Sequence, residues 1–409
     1  MMGALMGART GTRACLYGLV AGLAVWTGAA GAETRVRIGV LSDMSGPYSD
    51  LAGPGSVVAA RMAVEDFKAA QKGITVDILS GNHQNKADIG SVVARSWIDQ
   101  DGVDVIADVT GSPVALAVSQ IVKDKNKIQL NAGAATADLT GSKCTPNTIH
   151  WTYDTWANAN GTGRAMVERG GRSWFFIAVD QVSGQTMERD TAAVVKAAGG
   201  QVLGSAKHPL GTSDFSSYLL RAQTSGAKVV GLASGGEDMV NAIKQASEFG
   251  IVQGGQSIAG LFTFITDIHA LGLKLAQGLV LTEAFYWDRD EASRAFSKRF
   301  AAAFGGKMPT QVHAGVYSSI LHYLKAVEAA GTKDTTTVLA RMRAQPIDDA
   351  LFGKGEVRVD GRAVHDMFLF RVKAPEQSKG EWDLYETLAT IPAAEAFRPL
   401  SQGNCPLVQ

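Results

Sequence analysis

VRIGVLSDMSGPYSDLAGPGSVVAARMAVEDF, residues 36–67, carries three patterns in succession. Val36, Ile38, Val40 and Leu41 make a short apolar run of strand type. A loop rich in Ser, Gly and Pro follows from Ser42 to Gly55. Val57, Ala60, Val64 and Phe67 then recur at helical spacing, with Arg61, Glu65 and Lys68 on other faces. Strand, long loop, helix is the opening half of a parallel α/β unit. In open parallel sheets ligands sit beyond the carboxyl ends of the strands, so this loop is expected to face a cleft.

Working outward, the pattern repeats. Apolar strand-like runs recur at 36–41, 74–79, 103–109, 128–131, 173–179, 228–233, 257–261 and 278–283. Amphipathic stretches at 56–71, 87–100, 113–125, 185–198, 214–225 and 238–249 separate most of them, which implies parallel sheets covered on both faces. From Glu291 to Arg343 the pattern turns helical, and runs at 356–359 and 366–373 close the chain. The length suggests two domains. No Pro-rich linker divides them, so segments are expected to cross between domains more than once.

Arg9 and Arg13, the apolar run Ala14–Thr27 and the small residues Ala30-Gly31-Ala32 have the form of a secretory signal, with cleavage after Ala32. Export and a soluble mature chain from Glu33 are the expectations. That chain keeps 37 basic and 39 acidic residues, a balance that suggests neither nucleic acid nor an anionic membrane as partner. It also keeps two cysteines, Cys144 and Cys405. In an oxidising compartment a disulfide that ties the tail to the first half is the natural reading, with two free buried thiols as the alternative.

Two strand ends carry the chemistry. After the third strand, Thr110-Gly111-Ser112-Pro113 opens a helix, with Ser112 as expected N-cap and Pro113 at the first helical position. After the fourth, Ala132-Gly133-Ala134-Ala135-Thr136 is small enough for a ligand to approach the main chain. Free N–H groups and hydroxyls converging from both ends would suit an anion such as a carboxylate.

With these residues in view, the chain resembles the substrate-binding proteins of ABC importers in the branched-chain amino-acid (Leu/Ile/Val-binding, type I) family. IGVLSDMSGPYSDLAG, DGVDVIADVTGSPVALAVSQIVKDKNKIQLNAGAATADLTG and GTSDFSSYLLRAQTSGAKVVGLASGGEDMVNAIKQASEFGI carry the resemblance, in order, across nearly all of residues 34–370. It implies an α/β fold of two Rossmann-like lobes joined by three hinge crossings around a central cleft. The lobes would be 33–152 with 283–356, and 153–282 with 357–409. It also implies a membrane permease as partner, no cofactor, and a monomer that captures its ligand by lobe closure.

The ligand site implied by the resemblance comprises Tyr48, Leu51, Thr110, Gly111, Ser112, Ala134, Ala135, Thr136, Tyr153, Ser183, Gly235 and Phe262. The carboxylate half, Thr110 to Ser112 with Ala134 and Thr136, is kept. The ammonium half is not: Phe262 stands where amino-acid binders of the family carry an acidic side chain, and Gly235 and Ser183 stand where they carry aromatics. A buried ammonium without a counter-charge costs several kcal/mol, so an organic acid lacking the α-amino group, aromatic rather than aliphatic, is expected. Tyr48, Trp151, Tyr153, Trp156, Phe262, Phe264 and Phe285-Tyr286-Trp287 bring aromatic rings near the cleft, half of them expected in the core.

The rival readings are a ligand sensor on the same fold, an amino-acid binder, and an enzyme. For the last, the seven histidines show no metal-ligand pair at helical spacing, and there is no G-x-S-x-G or G-x-x-x-x-G-K motif. Neighbouring genes would separate importer from sensor.

Overall fold

A computed structural model describes residues 10–11 and 34–408, so the signal-peptide reading falls almost wholly outside the described residues. Five parallel strands, β1 (Thr34–Ser42), β2 (Ile74–Asn82), β3 (Val105–Asp108), β4 (Ile128–Asn131) and β5 (Thr148–His150), form one sheet in the order β2-β1-β3-β4-β5. β1 lies inside it, in register with β2 from Thr34↔Ile74 and with β3 from Ile38↔Val105. Its apolar run is continuous because both faces are covered. Val36, Ile38 and Val40 pack on one face with the helices Gly53–Phe67 and Gln311–Ala330. Leu41 packs on the other with Ala87–Asp99 and Ser112–Asp124.

The second sheet, in the order β7-β6-β8-β9, is built from β6 (Ser173–Val179), β7 (Gln201–His208), β8 (Val229–Ala233) and β9 (Ser257–Gly260), again parallel. The chain returns through β10 (Val280–Glu283) to three helices, Glu291–Ala303, Gln311–Ala330 and Thr335–Ala344. These pack with the first sheet: Trp151 Nε1 donates to Ser318 Oγ (2.8 Å) and Thr310 Oγ1 to the Leu51 carbonyl (2.7 Å). A small antiparallel sheet of β11 (Ile347–Asp349), β12 (Gly353–Val357) and β13 (Ala363–Val364) follows. β14 (Met367–Val372) then pairs with β10, and β15 (Tyr385–Ile391) with β14. The Cys144–Cys405 disulfide is formed. Beside it Arg398 Nη2 donates to the Ala137 carbonyl (2.7 Å).

Several local expectations need correction. In the helix Gly53–Phe67 the buried face is Ser56, Ala59, Ala60, Met62, Ala63 and Phe67, while Val57 and Val64 are only half-buried. The helix Gln311–Ala330 comes so close, with the His313 ring against Gly55, that small residues face it. Ser112 is not a capping residue: Gly111 holds that position at φ 87°, and no side chain caps the helix. β5, β7, β11, β13 and β15 were not expected. β7 is an edge strand whose residues alternate in exposure around Gly204, and β5 spans three residues. Among the described residues no helix is long and apolar enough to cross a membrane.

Candidate functional site

Beyond the carboxyl ends of the two parallel sheets lies a cleft with about 350 Å³ of space free of protein atoms. Both lobes contribute to its wall, and Tyr48, Leu51, Thr110, Gly111, Ser112 and Ala135 come from the first. Tyr153 stands at the crossing, and Ser183, Gly235 and Phe262 come from the second.

Each wall residue is positioned by identifiable contacts. The first loop is wound on Asp43, whose carboxylate accepts from the amides of Gly46 (2.8 Å) and Tyr48 (3.0 Å) and from Asn85 Nδ2 (2.5 Å). This brings Tyr48 into the wall, where burial holds its phenol protonated. At the end of β3, Asp108 and Val109 both take left-handed φ, 71° and 51°. Such paired strain in non-glycine residues persists only where the surroundings impose it. Here the Asp108 carbonyl accepts from the amides of Ala132 (3.1 Å) and Gly133 (3.2 Å), and the Val109 carbonyl from Asn131 Nδ2 (3.1 Å). The kink turns Thr110-Gly111-Ser112 into the cleft. Gly133 is obligatory beneath it, since a Cβ there would collide with both the Asp108 carboxyl and the Thr110 hydroxyl.

Ser112 Oγ accepts from the Thr136 amide (3.1 Å), which leaves its own proton free for a ligand. The amides of Ser112 and Val114, in the first helical turn, have no intrahelical acceptor. Two expected residues do not reach the wall. The Ala134 amide donates to Asn131 Oδ1 (3.2 Å) and its carbonyl bonds to His150 Nε2 (2.8 Å). Thr136 Oγ1 accepts from the Asp138 amide (3.3 Å). In their place Gly133 and Phe264 line the cavity.

The opposite wall is aromatic. The Tyr153 ring stands edge-on to Phe264 (5.4 Å) and Phe262 (6.5 Å), and its hydroxyl donates to the Gly133 carbonyl (3.0 Å). A Cβ on Gly235 would lie 3.2 Å from Phe262 Cβ, so the glycine makes room for the ring. None of the lining residues is charged. The nearest acid along the chain from Phe262, Asp267, is turned to its own helix: Oδ2 accepts from the Phe264 amide (2.9 Å), and burial pushes its pKa up to about 7. Trp151 and Phe285 are fully buried core rather than cleft.

The lobes touch at the mouth. Pro47 of the first loop packs against Gly236 (φ 61°), leaving no space for a Cβ, and the Glu237 amide reaches the Pro47 carbonyl at 3.5 Å. Arg189, on the helix Val182–Ala197, pairs with Asp138 of the first lobe at 3.0 Å. Sequence reasoning singled out neither pair.

Residues 35–381 match the family model described as periplasmic binding protein. The chain is similar to a periplasmic binding protein from Burkholderia mallei, with 47% identity, TM-score 0.90, and coverage of 93% of this chain and 100% of that one. It is also similar to a branched-chain amino-acid ABC transporter periplasmic ligand-binding protein from Burkholderia xenovorans LB400, at 41% identity, TM-score 0.82 and coverage of 91% and 100%. An ABC transporter solute-binding protein from R. palustris, in complex with 4-hydroxybenzoate, shares the fold at 20% identity and TM-score 0.78, over 88% of this chain and 97% of its own.

Proposed function

The chain belongs to the periplasmic binding protein family, and from that premise we propose that it captures a small aromatic carboxylate lacking an α-amino group. As a solute-binding component of an ABC transporter it works with a membrane permease and is not an enzyme. The observation that carries the ligand reading is the wall around Phe262. Phenyl and phenol rings stand where an ammonium would need a carboxylate, and no lining residue is charged. An ammonium would be desolvated there without a partner, whereas an uncharged ring gains from burial and edge-on contacts. The carboxylate end would be held by Ser112 Oγ, by the first-turn amides of its helix and by the Ala135 segment.

In this reading the lobes 33–152 with 283–356 and 153–282 with 357–409 close as hinged bodies. The disulfide then ties the tail of the second to the first. Export with cleavage after Ala32 and a monomeric state belong to the same proposal. A branched-chain amino acid is the second reading, favoured by the description of the relative at 41% identity. Calorimetry against benzoate, 4-hydroxybenzoate, leucine and short fatty acids decides between them. Binding of the benzoates with no response to leucine supports the aromatic reading. Tight leucine binding with no response to the other acids overturns it.

A further inference from the structure

Behind the cleft wall a chain of hydrogen bonds has a defined direction. It starts at the Gly53 amide, which can only donate, and does so to Ser42 Oγ (3.0 Å). Ser42 Oγ lies 3.2 Å from Thr110 Oγ1, and Thr110 Oγ1 lies 2.9 Å from Asp108 Oδ1. While Asp108 is ionised it can only accept, so the Thr110 proton is committed to it. Thr110 then shows the cleft lone pairs, the wrong polarity for an anion. Asp108 is fully buried, and the side chains that support its charged form are the neutral hydroxyls of Thr110, Ser42 and Ser56. A buried carboxylate with no cation to pair it is costly, and neutralisation removes most of the cost.

We propose that Asp108 is the positioning residue of the anion site and that a carboxylate ligand enters together with one proton, which Asp108 takes up. This rests on the reading that the Thr110–Ser112 loop receives a carboxylate, whatever the rest of the ligand. The proton comes from solvent or buffer and bonds to Asp108 Oδ1. The Asp108 O–H then donates to Thr110 Oγ1, which already accepts from Ser42. Thr110 rotates its own proton toward the ligand. One O–H bond is formed at Asp108, one proton leaves the medium, and the added positive charge offsets the ligand's negative charge.

The surroundings fit this exchange. Burial, with the like charge of Asp43 at the end of β1, pushes Asp108 up to about 6. No cation is among the groups that shift it. His83, at the end of β2, is held down to about 4 by burial and stays neutral above pH 5. The Tyr153 phenol at the crossing is held protonated by burial. Asp108, Asp238 at about 6 and Asp267 at about 7 all change charge between pH 5 and 8 near the cleft, and of the three it is Asp108 that accepts from Thr110.

The test is calorimetry on the mature wild-type protein at pH 5.5 to 8.0, in phosphate and in Tris, with benzoate and with leucine. Neither carboxylate titrates in that window. The two buffers differ in ionisation enthalpy, so the difference in observed heat counts protons. Uptake approaching one proton is expected above pH 7, with Kd weakening about tenfold per pH unit there. Asp108→Asn keeps a residue that tolerates positive φ and donates permanently to Thr110. It should bind with no proton uptake and a Kd flat across the range. Zero uptake and a flat Kd in the wild type overturn the proposal, even if the variant fails to fold. Which of the two probes binds tests the ligand class separately: proton uptake with leucine alone, lost in Asp108→Asn, would uphold Asp108 and overturn the aromatic reading. Binding of neither probe at any pH overturns both.

Discussion

Replacing Phe262 by Ala removes the ring on which the ligand-class reading depends, and its effect can be sized in advance. Phe262 is 5% exposed, sits edge-on to Tyr153, and has Gly235 beneath its Cβ. An aromatic ligand would lose one ring–ring contact, worth about 0.5–1.5 kcal/mol. It would also lose roughly 40 Å² of apolar contact at about 25 cal/mol per Å², another ~1 kcal/mol. The sum, about 2 kcal/mol, corresponds to a Kd for benzoate weakened about 30-fold. The variant should also melt earlier, since truncating a buried Phe costs about 3–5 kcal/mol in a well-packed core and less at a cleft wall. Calorimetry well below the variant's melting temperature separates the two effects, because only folded protein binds. Leucine affinity should not improve, because removing the ring supplies no counter-charge. A benzoate Kd within threefold of wild type would refute the argument that this wall holds the ligand's ring.

Three further outcomes are expected. Reduction of the Cys144–Cys405 disulfide, which closes a loop across 261 positions of sequence, should cost up to about 5 kcal/mol and lower the melting temperature; two alkylatable thiols in unreduced protein would contradict the pairing. Arg189→Met removes a bridge between the lobes in which Arg189 is half exposed, so ligand release should quicken only about two- to fivefold, with the difference shrinking in high salt, as measured by stopped-flow. Stability should change little between pH 7 and 5, because opposed titrations cancel. The buried His83, His313 and His365, held down to about 4, bind protons first in the unfolded chain and weaken the fold as pH falls below 6.5, whereas Asp108 and Asp238, pushed up to about 6, and Asp267, pushed up to about 7, protonate first in the fold and strengthen it by a similar total. Asp267→Asn should therefore expose an acid loss of about 2 kcal/mol over that interval, read from denaturant midpoints at each pH.

How far the sequence could be read follows from where each signal comes from. Strands covered on both faces announce themselves as apolar runs, and β4 and β6 fall on the expected residues. β7 escapes because an edge strand faces solvent in part, and its Gly204 bends it where register shifts against β6. In the helix Gly53–Phe67, valine looked like the inward residue. The partner helix instead approaches so closely that glycine and alanine face it, and the two bulky valines at 57 and 64 are displaced to the flank. Hydrophobicity marks burial, but the distance between helices decides which size is buried.

The site was legible as a set of strand ends and illegible as a set of directions. Ala134 and Ala135 are the same residue type in adjacent positions, yet only Ala135 reaches the cavity. Asn131 holds the Ala134 amide and His150 its carbonyl, and neither bond leaves a trace in local periodicity. Thr110 lines the cavity with its hydroxyl among the wall residues. Which way its proton points depends on Asp108 two residues earlier and on Ser42 from another strand. Asp108 drew no notice because a charged residue at a strand end ordinarily marks the turn to solvent, and only the fold shows it sealed beneath Gly133. The contacts at the cleft mouth, Asp138 with Arg189 and Pro47 with Gly236, join residues that are far apart in the sequence. The cavity wall is assembled from the ends of several strands, so what fits it is set by distances between those ends more than by any motif along one of them.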